Sequence, residues 1–334
     1  MVTMGTAMER DYPGVRVFTY RMLGSLLETE HVLDKAYSLA TSQLKTDHAR
    51  DSVRAQLYGV ITKICLDMLR TQSPRTLPIL SYPPADPFER PAASENASIW
   101  LEPFPDELSV EAACESASRY EAREKISLPF IAALQSVPPQ GRASLVLCDT
   151  MGWREDQVAD VLRINNSDVN GMLGQARNVM ARYYRTELGR KEPPAGSNAT
   201  ALSMQYLYPW ETANLDSLMS RLTDGVTMQL LPSPSWYKGS AAVRRYLASY
   251  AFGSGSPGRW RLLPRRANGQ LAFGTYERDE LGLEYVAHSI QVLTFEEDLV
   301  CEIVSFANRS LFPPFRLRSK VIAQGRMAMG DDQE

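Results

Sequence analysis

Residues 153–177 read WREDQVADVLRINNSDVNGMLGQAR. Val158, Val161 and Leu162 give one short helix an apolar face, and Arg163 to Asn166 can make a turn. Ser167 can then cap a second helix whose Val169, Met172, Leu173 and Ala176 recur at i, i+3, i+4 and i+7. Two short helices joined by a tight turn make either an ordinary helical hairpin or a helix-turn-helix whose second helix enters the DNA major groove. The outward positions of that second helix are Asp168, Asn170, Gly171, Gly174, Gln175, Arg177 and Asn178. Asn170 and Gln175 carry amides that can pair with adenine, and Arg177 a cation for phosphate. Solvent-facing positions carry the same residue types.

Working outward, Ile126, Phe130, Ile131, Leu134 and Val137 mark a helix that ends at Pro138-Pro139, and Ala143 to Leu147 begins another. The segment 106–190 is therefore expected to be all helical. Before it, 74–105 carries Pro74, Pro78, Pro83, Pro84, Pro87, Pro91, Pro103 and Pro105, a density no helix runs through, and reads as a linker. The segment 1–73 shows two apolar stripes, Val17, Tyr20, Met22, Leu23, Leu26 and Leu27, then Val53, Leu57, Val60, Ile61, Ile64, Leu66 and Leu69. KEPPAGSN at 191–198 reads as a second linker. In 199–320 helix-like pieces (Leu215 to Leu222, Ala241 to Ala251) precede alternating runs at 260–263, 271–276, 285–294 and 299–306, with Asn268-Gly269 as a hairpin signal. The expected architecture is multidomain: two all-α domains, then an α+β domain of helices followed by an antiparallel sheet, then a tail at 321–334.

The 334 residues carry 36 Lys+Arg against 39 Asp+Glu, a net charge of −3. That balance excludes a protein that coats nucleic acid by charge alone, but not a local basic patch. At 44% hydrophobic and 22% charged the chain is too apolar for disorder, and its length suggests two or three domains. Cys65, Cys114, Cys148 and Cys301 are scattered, with no CxxC and no neighbouring His, so no metal site and no cofactor is expected, only reduced thiols. No signal-peptide pattern and no apolar run of about 18–20 residues is present, so a cytoplasmic protein is expected, with no membrane partner.

Several ordered blocks resemble the extracytoplasmic-function (ECF) sigma factors of the sigma-70 family, in the SigG-like subgroup. TYRMLGSLLETEHVL (19–33) resembles the helix opening region 2, and VRAQLYGVITKICLDMLR (53–70) the promoter −10 helix. WLEPFPDEL (100–108) is similar to a subgroup signature, and 119–153 leads into the region 4 helix-turn-helix. WYKG (236–239), LLPRRANGQLAF (262–273) and LFPPF (311–315) resemble the C-terminal SnoaL-like, or NTF2-like, cone domain of that subgroup. The resemblance implies that region 2 binds RNA polymerase core and the −10 element; Arg54, Lys63 and Arg70 can serve there as phosphate contacts, and a solvated helical face explains the three equally well. It implies that region 4 binds the −35 element of promoter DNA, where Asn170, Gln175 and Arg177 are the residues of the outward face able to make contacts, and that the C-terminal domain modulates both.

The chain departs from that pattern in its polar chemistry. Asp34 and Lys35 stand where the family carries a Gln-Glu pair, and reversing a charge at an interface can cost several kcal/mol. Gln56, Gly59 and Lys63 replace a Trp, an Arg and an Asn of the −10 helix. The family's Arg-rich stretch before region 4 reads Pro139-Gln140-Gly141-Arg142, and 154–190 holds six Arg against five Asp+Glu. The nucleic-acid chemistry thus reads as eroded.

Two alternatives follow from the C-terminal domain. One is a repurposed cyclase, isomerase or hydrolase of a polyketide-type pathway, using a pocket lined by Trp236, Tyr237, Tyr276 and His288. His288 would be the acid/base and Tyr276 and Tyr237 hydrogen-bond donors. His288 shares its alternation with Val286, Ile290 and Val292, which predicts that it points to the apolar side of the sheet. The other is a regulator that senses a small apolar ligand or substrate without catalysis.

Overall fold

A computed structural model describes residues 4–43, 50–109, 126–183, 199–253 and 257–323. The KEPPAGSN linker, Cys114, the 119–125 part of the block leading into region 4, and most of the tail lie outside the described residues.

The first apolar stripes build α1 (Met4–Leu23), α2 (Leu26–Gln43) and α3 (Arg50–Leu69). Residues 19–33 read as one helix but form parts of two. Gly24 takes a left-handed φ of 66°, and Ser25 Oγ accepts the Glu28 amide at 3.1 Å to start α2. A Cβ at Gly24 would fall 2.6 Å from Leu101 Cδ2, so the break also admits the linker. Tyr20, Leu23, Leu26, Leu57 and Ile61 close the core among the three helices.

The Pro-rich stretch, which holds the short α4 (Pro78–Ser81), is no free tether. Its Arg75 is buried, donating to the Trp100 carbonyl at 2.7 Å and pairing with Glu28 at 2.8 Å. Glu102 accepts from Ser25 Oγ at 2.7 Å and from the Leu27 amide at 3.0 Å. The Phe104 ring lies 4.6 Å from Tyr20. Proline stops helix formation here but suits an extended segment wedged between domains.

The second helical segment comprises α5 (Leu128–Gln135), α6 (Pro139–Leu145) running into a π turn (Val146–Thr150), α7 (Glu155–Leu162) and α8 (Asn166–Tyr183). The helix-turn-helix pattern of the sequence is present in α7 and α8. Its turn is made by Arg163 in the left-handed region, φ 57°. The cap of α8 is Asn165, whose Oδ1 accepts the Asp168 amide at 2.8 Å, not Ser167. An Asn carbonyl reaches the amide three residues on, which starts the helix earlier.

The C-terminal domain runs α9 (Ala199–Glu211), α10 (Leu215–Met219), β1 (Leu222–Leu231), β2 (Trp236–Lys238), α11 (Ser240–Tyr246), β3 (Trp260–Ala267), β4 (Gln270–Arg278), β5 (Glu284–Glu296), β6 (Leu299–Phe306) and β7 (Lys320–Ile322). The sheet order is β2-β1-β6-β5-β4-β3, with β7 on β5. The four expected strands are β3 to β6, and Asn268-Gly269 makes their first hairpin. The expectation of a purely antiparallel sheet after the helices is corrected: β1 pairs with β6 in parallel, and β1 and β2 precede α11. Asp224 and Gly225, both poor strand formers, hide β1 in the sequence.

One face of the sheet, with Tyr237, Phe273, Leu293 and Ile303, packs with Tyr206 and Trp210 of α9 in a separate core. The opposite face, with Tyr276, Ile290, Val292 and Phe306, meets Phe312 and Phe315 and joins the core of both helical regions. A sheet with both faces covered by apolar side chains ties the three domains into one body.

Candidate functional site

On α8 the residues Asp168, Asn170, Gly171, Gly174, Gln175, Arg177 and Asn178 are all exposed, as their spacing predicts. A Cβ at Gly171 or Gly174 would meet no atom within 4 Å. Beside this face lies an open groove of about 540 Å³ lined by the π turn, the start of α7 and the first and fourth turns of α8. Two arginines line it, and both are engaged by carboxylates. Arg177 forms a bidentate pair with Asp149 at 2.8 and 2.6 Å. Arg154 forms another with Asp156 at 2.9 and 2.7 Å. Burial, with the Asp149 and Glu155 carboxylates beside it, pushes the Cys148 thiol up to about 11, so it stays protonated at neutral pH.

On α3 the face carrying Gln56, Lys63 and Arg70 is exposed, and Arg70 makes an ion pair with Asp67 at 3.4 Å. Arg54 is placed differently. Its guanidinium lies 5.4 Å from the Trp153 ring centre and 5.7 Å from that of Tyr58, inside the seam between the two helical segments. Lys63 and Arg70 thus share a surface that Arg54 has left, because two aromatic faces offer the cation a partner. Asp34 and Lys35 are exposed on α2, and the Arg309–Leu311 turn of the C-terminal domain packs against that helix.

The seam holds residues the sequence reading missed. Arg142 is buried; its Nη1 donates to the Met22 carbonyl, the last turn of α1, and to Gln135 Oε1 at 2.6 Å. Its Nη2 donates to the Gln135 and Val137 carbonyls at 2.9 and 3.1 Å. Burial pushes its pKa down to about 10, still charged at neutral pH, as suits a cation at a helix C-terminus. Asn268, read only as a turn residue, has φ 54° and also joins all three domains. Its Nδ2 donates to Tyr20 Oη at 2.9 Å and to the Ile126 carbonyl at 2.7 Å, and its Oδ1 accepts the Phe104 amide at 2.8 Å. Tyr20 Oη in turn donates to the Glu102 carbonyl at 2.7 Å. The available signal was a lone Arg inside the small and apolar run Gly141 to Val146.

The four proposed pocket residues do not converge. Tyr237 is buried on the helix-covered face, stacked on Tyr246 with ring centres 4.8 Å apart, and burial pushes its phenol up to about 12. Tyr276 is buried on the opposite face and donates to the Arg318 carbonyl at 2.8 Å. Trp236 packs under the Pro-rich stretch, its Nε1 donating to the Tyr82 carbonyl at 2.8 Å. His288 is exposed, contrary to its predicted direction. Thr275 faces Ser289 while Tyr276 faces Ala287, so His288 is the extra residue of a β-bulge and the alternation flips there. Its ring meets Trp260 edge-on at 5.1 Å.

Among the described residues no helix is long and apolar enough to cross a membrane. No protein-family model matches the chain. Over 299 residues it is 31% identical to two relatives that share one name, ECF RNA polymerase sigma factor SigG, from Mycobacterium tuberculosis strains CDC 1551 / Oshkosh and ATCC 25618 / H37Rv. The match covers 89% of this chain and 79% of each relative. The crystal structure of Mycobacterium tuberculosis extracytoplasmic function sigma factor SigJ has the same overall fold, with a TM-score of 0.57 at 20% identity, covering 93% of this chain and 99% of that one.

Proposed function

The chain belongs to the ECF sigma factors of RNA polymerase, and on that premise we propose that it recruits polymerase core to promoters from a closed state. In this reading region 2 takes the −10 element and region 4 the −35 element. The SnoaL-like domain holds the two regions together until polymerase and promoter part them.

The seam supports this reading. Two elements about 25 base pairs apart are separated by roughly 85 Å at 3.4 Å per pair. Arg54 of region 2 lies 5.4 Å from Trp153, which lines the same groove as Arg177 of region 4. With the two regions packed against each other through that ring, contact with both elements is read as needing the seam to open. The bonds that would break are the buried ones of Arg142 to α1 and of Asn268 to Tyr20, Phe104 and Ile126. The exposure of Asp34 and Lys35 leaves part of the polymerase-facing helix accessible in the closed state, which suits a first contact with core.

The test is co-purification with mycobacterial core polymerase, followed by run-off transcription from genomic fragments. The expected result is association and discrete start sites. Failure to bind core at micromolar concentration ends this reading.

A further inference from the structure

Arg177 is the cation on the outward stretch Asp168 to Asn178 of α8, and it is already engaged. The partner, Asp149, does not belong to α8. It sits in the π turn Val146–Thr150, part of the scaffold against which α8 packs. The Arg177 fork meets both carboxylate oxygens, the same planar two-point geometry with which guanidinium binds phosphate. Arg177 follows Asn170 by seven residues, so it flanks the face whose amides can reach bases, where phosphate contacts belong.

We propose that Asp149 is an internal competitor for DNA phosphate: it holds the guanidinium of Arg177, and docking of region 4 on DNA exchanges that carboxylate for a backbone phosphate. The inference rests on the reading of region 4 as a DNA-binding unit. The pair is suited to exchange because its side chains are 54% and 34% exposed, and exposed pairs are weak enough for phosphate to displace. The surroundings add to the effect. Asp156 occupies Arg154 in the same groove, and Glu155 adds a further carboxylate. Each released carboxylate then faces the incoming polyanion, so the groove lowers affinity for every sequence alike. Because the base-reading amides are untouched, such a device weakens non-specific binding without altering which sequence is preferred.

The experiment measures binding of the full chain to a fluorescent random-sequence duplex across a salt series, since phosphate contacts are sequence-independent. Wild type, Asp149→Asn, Arg177→Ala and the double variant are compared. Asp149→Asn is expected to bind about threefold to fivefold tighter with a log K against log salt slope close to that of wild type, because Arg177 makes the same phosphate contact in both complexes. Arg177→Ala is expected to bind more weakly than wild type with a slope shallower by about 0.9, one lost phosphate contact, and adding Asp149→Asn to it gains less than it does in the presence of Arg177. Equal gains from Asp149→Asn with and without Arg177 would reduce the effect to general charge and overturn the proposal. So would an unchanged slope in Arg177→Ala, or no duplex binding by wild type and Asp149→Asn at low salt. Failure of core association alongside the expected slopes would instead count against the sigma reading alone. Both side chains are surface-exposed, and matching melting curves confirm that all four proteins fold.

Discussion

Arg142 and Arg177 belong to the same helical region and carry the same cationic group. Their surroundings give them opposite roles. Arg142 is 2% exposed and donates to four acceptors that cannot leave, three of them backbone carbonyls. Arg177 is exposed and donates to one carboxylate that water or phosphate can replace. A guanidinium out of reach of water becomes a bolt between domains, because breaking its bonds strands buried acceptors. The same group at the surface is an exchangeable contact. The seam and the groove therefore differ in how permanently their polar groups are committed.

The largest effect is expected from Arg142→Met. It leaves the Met22, Gln135 and Val137 carbonyls buried without that donor and is expected to cost about 3 kcal/mol in urea unfolding. Arg177→Met is expected to stay within about 0.5 kcal/mol of wild type. Similar losses at both positions would erase the contrast.

Asn268→Ala comes next, at about 2 kcal/mol, because it strands the Phe104 amide and the Ile126 carbonyl and removes the donor to Tyr20 Oη. Hydrogen exchange is expected to rise in 100–108 before it rises in α8. Asn268→Gly relieves the left-handed backbone but loses the same bonds, so it should remain destabilised. Recovery to wild-type stability in Asn268→Gly would mean that turn strain, rather than the side-chain bonds, is what matters there.

Much of the fold was legible because it rests on local signals. The recurrence of Val169, Met172, Leu173 and Ala176 marks α8, and Asn268-Gly269 marks the β3–β4 hairpin. The seam was not legible, because its bonds join residues far apart in the chain, such as Tyr20 with Asn268 and Met22 with Arg142. The direction of His288 was lost to a single inserted residue, since a bulge shifts the period of two without leaving a mark in composition. The outward face of α8 was read correctly, but the pairing of Arg177 with Asp149 depends on where the π turn places a carboxylate.

Within the groove, Cys148 reports on the same charges. With its thiol held near 11 it carries about a hundredfold less thiolate at pH 8 than an ordinary cysteine near 9. Alkylation by iodoacetamide is expected to be correspondingly slow, and to quicken in Asp149→Asn as one carboxylate is neutralised.

The smallest effect concerns His288. The side chain is exposed at one edge, but the packing of its ring against Trp260 removes enough water to hold its pKa below the ordinary 6.5, against the opposing attraction of Glu277. The unfolded chain therefore takes up the proton first as pH falls. Stability present above pH 6.5 is lost below it, by a few tenths of a kcal/mol for a ring with an open edge. His288→Gln is expected to flatten that loss in melting curves taken between pH 5 and 7.

The most direct test of the closed state is a distance between the two promoter-facing surfaces. Spin labels at positions 63 and 175 of a cysteine-free chain, read by pulsed dipolar spectroscopy, follow α3 and α8. One short distance is expected for the free protein, moving out by tens of ångströms when core polymerase and promoter DNA are added together. A distance that stays short in an actively transcribing complex would contradict the opening of the seam.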